Sequence, residues 1–128
     1  MDDGTGDGAD GTGGGIQLGL LGEEAQRRAR RLVRLEAERC GLEERGDDAA
    51  LVTAELLEGP EGGAVPTAVR VGEADGGLLV GVDLRGPRVL HLRELSEALV
   101  SGLSSSWGWE ARPGGVHAWC HLSGAAAR

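Results

Sequence analysis

Apolar residues recur along the chain with two different periods, and the changes of period divide it into elements. Between residues 23 and 40, Ala25, Ala29, Leu32, Val33, Ala37 and Cys40 fall at the three- and four-residue spacing of one helical face. Arg27, Arg28, Arg30, Arg31 and Arg34 lie mostly elsewhere around that helix. Glu23 and Glu24 stand four residues before Arg27 and Arg28, the favourable order for ion pairs on a solvated face, with a docking surface as the second reading. Gly41 supplies the stop.

Asp47 and Asp48 are N-cap candidates for a second helix to about residue 57, packed through Leu51, Val52, Ala54 and Leu56 and ended by Gly59-Pro60. Residues 67–73 and 78–84 read as strands around Asp75-Gly76-Gly77, a hairpin signal. A third helix is predicted over 90–103, where Leu92, Leu95, Leu99 and Leu103 join Val100 in one stripe. Trp107, Trp109 and Ala111 then share one face up to the turn Pro113-Gly114-Gly115, and Val116, Ala118, Cys120 and Leu122 share one face after it.

The order helix, helix, strand, strand, helix, strand, strand predicts an α+β fold, a two-layer α/β sandwich with the helices on one face of a mixed or antiparallel sheet. Residues 16–123 form the expected single domain. Residues 1–15 hold Asp, Gly and Thr with Ala9 as the one apolar side chain after Met1, so nothing offsets the entropy of ordering them, and a disordered tail is expected. Residues 124–128 make a second tail. The Gly6-x-Gly8-x-x-Gly11 spacing follows no strand and precedes no lysine, which excludes a phosphate loop, and the aspartates lack the closing Glu of a calcium loop.

Composition narrows the function classes. The chain has 128 residues and a formal net charge of -8, which argues against unaided binding to nucleic acid or anionic membranes and points to a protein partner. It contains no Lys, Asn, Phe or Tyr, as a G+C-rich coding sequence would produce. No apolar run approaches the roughly 20 residues of a membrane span, and no basic segment precedes an apolar core like a signal peptide, so a cytoplasmic location is expected. Cys40 and Cys120 fit no CxxC spacing and read as reduced, partly buried thiols.

Little in the sequence supports an independent catalytic centre. His117 and His121 lie on one predicted strand at about 3.3 Å per residue, too far apart for one ion, and His91 is the only other imidazole, so no metal site is expected. The two are read as solvent-facing. Ser104-Ser105-Ser106 has no surrounding Gly-x-Ser-x-Gly elbow and reads as a helix end or turn. At least one of Trp107 and Trp109 is a packing anchor rather than a base-stacking platform.

Over residues 25–122 the chain resembles the histidine-kinase-like ATPase domains of the anti-sigma-factor serine kinase type, the Bergerat fold. The strings that carry the resemblance are Arg28-Ala29-Arg30-Arg31-Leu32-Val33, Cys40-Gly41-Leu42, residues 47–56 (DDAALVTAEL), Gly77-Leu78-Leu79-Val80, and Ala98-Leu99-Val100 with Trp107-Gly108 and Pro113-Gly114-Gly115 before Trp119. Working members use a Glu to activate the attacking water or substrate hydroxyl, and Glu55 matches it. Their magnesium-holding Asn, one turn later, falls at Gly59. The adenine-binding Asp falls at Leu84, with Asp83 the nearest candidate but aimed to the other face by strand alternation.

The phosphate-cradling Gly-x-Gly is replaced by Glu94-Leu95-Ser96, where a carboxylate repels phosphate. The lid is compressed into a short loop with Gly86-Pro87. The resemblance therefore implies a Bergerat-like domain with a shortened lid, Glu55 at the pocket edge without catalysis, and no nucleotide or metal cofactor. The implied partner is a protein: a sigma factor, an antagonist of an anti-sigma factor, or a second copy in a homodimer. The alternative is a serine protein kinase that uses ATP, magnesium and Glu55 to act on such an antagonist.

Overall fold

The computed structural model describes residues 15–19 and 24–124. Most of the two expected tails, and Glu23 with its expected pairing to Arg27, lie outside the described residues. The elements in chain order are β1 (Ile16–Gly19), α1 (Ala25–Arg39), a 3₁₀ turn (Glu43–Arg45), α2 (Gly46–Glu58), β2 (Val65–Ala74), β3 (Gly77–Arg85), α3 (Glu94–Leu103), β4 (Ser106–Arg112) and β5 (Gly115–Ser123). The strands form one sheet in the order β1-β2-β3-β5-β4, with every neighbouring pair antiparallel. Of the two sheet types expected, the antiparallel one is found.

Local chemistry accounts for the ends and turns. Gly41, at φ 75, closes α1 in a Schellman arrangement: Leu42 N donates to Ala37 O at 2.7 Å and Gly41 N to Glu38 O at 3.0 Å. Leu42 then packs against the core. The β2–β3 hairpin turns on Asp75 at φ 51 and Gly76 at φ 75, the two positive values a type I′ turn needs, between the paired residues Ala74 and Gly77. Pro113-Gly114 joins β4 to β5 with Gly114 at φ 83.

Packing follows the strand period. Val69 and Val71 of β2, Leu78, Val80, Val82 and Leu84 of β3, and Val116, Ala118, Cys120 and Leu122 of β5 all point to the helix side and are buried. Ala29, Val33 and Ala37 of α1, Val52 and Leu56 of α2 and Val100 of α3 meet them in one core. Each fully buried branched side chain contributes about 1.5–3 kcal/mol over leaving it in water. On the exposed side of α1, Arg27 pairs with Glu24 at 3.4 Å and Arg34 with Asp47 at 3.2 Å.

Four sequence expectations are corrected. Ile16–Gly19 was not anticipated as a strand; it is held by pairing with residues 68–71 at the edge of β2. Asp47 and Asp48 do not cap α2 through their side chains: the N-cap is Arg45, and both carboxylates sit in the first turn, where negative charge favours the positive end of the helix. Asp48 also pairs with Arg45 at 2.9 Å. The third helix begins at Glu94 rather than near 90, because 91–92 run extended against the end of α2, with Glu61 N donating to His91 O at 2.8 Å and Leu92 bridging to Pro60. Its buried face is Ser96 and Val100, and Leu95 is 71% exposed.

Leu56→Ala is expected to lower the unfolding free energy by about 2–5 kcal/mol, read as an earlier denaturant midpoint with little change in slope.

Candidate functional site

Glu55 lies on α2 half-buried, turned toward α3. Ser96, 3% exposed on the first turn of α3, donates its hydroxyl hydrogen to Glu55 Oε1 at 2.6 Å. Gly59 sits beneath that contact. A Cβ on Gly59 would stand 2.5 Å from Glu55 O and from Ser96 Oγ, and 2.6 Å from Ser96 Cβ, so α2 and α3 approach this closely only because the side chain is missing. Arg93 completes the joint, its guanidinium donating to Glu58 O at 2.6 Å and its backbone N to Gly59 O at 2.9 Å. The free carbonyls at the end of α2 are thereby satisfied from the start of α3.

Magnesium and a triphosphate, which the alternative kinase reading requires, do not fit these residues. The Glu55 carboxylate is engaged by Ser96, position 59 has neither a side-chain oxygen nor room for one, and Glu94 adds a negative charge at the start of α3. Among the described residues no group of three His, Cys, Asp or Glu side chains is placed to hold a metal ion.

Asp83 is on the opposite side of the sheet. It alternates with the inward Val82 and Leu84 and faces its cross-strand neighbour His117 on β5, Oδ1 to Nδ1 at 2.7 Å. The irregularity in pairing falls on β2, between Pro66 and Ala68, and leaves β3 in regular alternation. Glu55 and Asp83 therefore do not share a site. An ionised carboxylate only accepts, so Nδ1 carries the hydrogen of this bond. That bond, together with the nearby positive charge of Arg70 and Arg112, holds the Asp83 carboxyl below its ordinary range against the opposing effect of burial.

The same outer face carries two rings from β5 laid over glycines of its neighbours. A Cβ on Gly81 would come within 2.8 Å of His117 Cε1, and one on Gly108 within 3.0 Å of Trp119 Cζ2. His117 has only 13% of its side chain exposed, so the expectation that it faces solvent is corrected. His121 likewise bonds on both ring nitrogens, to Ala74 O at 2.7 Å and Ser105 Oγ at 2.9 Å. The Asp83–His117 pair orients an imidazole, but its place between the two central strands makes it a cross-strand clamp.

A third polar cluster centres on Glu36 and Arg39, two residues that the sequence reading does not single out. Glu36 lies on the core side of α1 at 1% exposure, bonded by Arg39 through Nε at 2.9 Å and by the Cys40 thiol at 3.6 Å. The Arg39 hydrogen bond pulls the Glu36 carboxyl below its ordinary range. The spacing of Glu36 and Arg39 was a usable signal for this pair. Both cysteines are free; burial raises the Cys40 thiol and pushes Cys120 up to about 12, so neither is a ready thiolate.

No known protein family, curated protein or solved structure matches this chain. Its functional reading rests on its own residues.

Gly59→Ala is expected to destabilise the fold by about 1–3 kcal/mol in a thermal melt, and adding Ser96→Gly should not restore the parent's stability, because the new Cβ still meets Glu55 O and Glu55 loses its donor. Because the folded Asp83 carboxyl is depressed, the pair's stabilisation is present above about 3.9 and is lost as pH falls through the folded value. Asp83→Asn should accordingly be less stable than the parent near neutrality and converge with it as pH falls below the ordinary aspartate range. A gap that widens in acid would contradict this assignment.

Proposed function

We propose that this chain is a regulatory protein-binding module, built on a scaffold resembling the anti-sigma-factor kinases, that neither binds nor hydrolyses ATP. The observation that carries the reading is the α2–α3 joint. Glu55, the one matching catalytic position, is hydrogen-bonded by Ser96, and the helices close over Gly59, where the resemblance expects a magnesium ligand. Asp83, the nearest candidate for adenine contact, serves the outer face. With the nucleotide chemistry gone, the proposed use of the scaffold is its surface, and the proposed partner is a protein of the sigma-factor circuit: a sigma factor, an antagonist, or another copy of this fold. The acidic balance of -8 supports a protein partner over nucleic acid.

Other support is indirect. Among the described residues no helix is long and apolar enough to cross a membrane.

Isothermal titration of the folded protein with ATP and ADP, with and without magnesium, is expected to give no saturable heat. Magnesium-enhanced binding, or phosphorylation of an antagonist protein that disappears with Glu55→Ala, would overturn the reading and establish the kinase instead.

A further inference from the structure

We propose that two copies of this chain associate edge to edge through β4, joining their sheets into one ten-stranded antiparallel sheet with Trp109 of each copy on the two-fold axis. The inference deepens the protein-binding reading by naming one partner, and rests on it only for the class of partner.

β4 is the last strand of the sheet and pairs with β5 along all seven of its residues, Ser106 to Arg112, in unbroken register. Among the described residues no further strand pairs with its other side, which presents a row of backbone donors and acceptors. The strand contains no Pro and no bulge, and its two charged side chains, Glu110 and Arg112, are paired with each other. The opposite edge, β1, is only four residues long.

Side chains at the β4 edge are also apolar on the helix side. Trp107 is fixed there, its Nε1 donating to Ser101 Oγ at 3.0 Å while the ring packs on the core. Trp109, on the same face, is 37% exposed, and Ala111 beyond it is exposed too.

The strand is complementary to itself. A two-fold pairing that keeps both helix layers on one face sets residues of like parity opposite each other. Of these registers, only the one centred on Trp109 pairs the strand over its whole length. It stacks the two Trp109 rings, sets Trp107 against the partner's Ala111, and faces Ser106 to the partner's Arg112. Centring on Glu110 opposes two carboxylates, and centring on Gly108 pairs a shorter stretch. In the full-length register the two Glu110 side chains are diagonal neighbours, each neutralised by its own Arg112 through Nε at 3.1 Å and Nη2 at 2.5 Å.

Strands of this length bury less than the roughly 1,200 Å² of a standard interface, so the dimer is concentration-dependent. Each copy carries a net charge of -8, so salt strengthens it by screening their repulsion.

The test is sedimentation velocity on the full chain between about 1 and 200 µM at about 0.05 and 0.5 M salt. The expected result is a monomer-to-dimer shift, favoured by salt, whose midpoint Trp109→Glu moves upward at least about tenfold without changing the circular dichroism. Should that variant fold poorly, Trp109→Ser carries the same expectation. Leu35→Glu, at an apolar position 53% exposed on α1, should leave the midpoint in place. A dimer lost with Leu35→Glu but indifferent to Trp109→Glu puts the contact on α1 and overturns the proposal. A chain monomeric throughout also overturns it, while the nucleotide titration decides the broader reading separately.

Discussion

The constraint on which the rest of the structure depends is that the sheet is covered by helices on one face only. A strand sends alternate side chains to opposite faces, so a one-sided cover divides every strand into residues that leave water and residues that do not. Leu78, Val80, Val82 and Leu84 take the covered side of β3, and the positions between them are committed to the other. Asp83 cannot reach the helix side without a one-residue slip that would carry these four apolar side chains into water. The outer face protects its own backbone instead: Trp119 lies over Gly108, His117 lies over Gly81, and the Asp83–His117 bond ties the two central strands across their register.

On the covered side, the same economy of space governs the helices. α2 and α3 meet where one residue has no side chain and the other has a short hydroxyl, and the Ser96 hydroxyl, the Arg93 guanidinium and the Arg93 amide each find an acceptor across the joint. Such a joint resists substitution, because a larger residue at 59 would collide with Ser96 and a smaller one at 96 would leave Glu55 without its donor. A carboxylate in this setting acts as a helix-to-helix tie.

Much of the fold was legible because its signals are local. Gly41 ends α1, Asp75-Gly76 and Pro113-Gly114 turn the hairpins, and the apolar periods locate the three helices and the four long strands. Each depends on residues within one or two turns of one another, where backbone sterics and short hydrogen bonds decide the outcome. β1 escapes the sequence because its alternation, Ile16 and Leu18 around Gln17, spans too few residues to stand out after a glycine-rich stretch, and the segment becomes a strand only beside β2. α3 was drawn too long because its leucine spacing continues into a segment that the end of α2 holds extended.

The candidate site divides the same way. By itself the sequence determined the α+β class, the two hairpins, the position of Glu55 on the second helix and the lack of any asparagine to follow it. Only the tertiary structure decided that Ser96, 41 residues away, would take the Glu55 carboxylate, and that His117, 34 residues from Asp83, would be its partner instead of a solvent-facing ring. The physical reason is range: propensity and period act over a few residues, whereas these contacts exist only once burial has brought distant elements together, and no spacing rule encodes them.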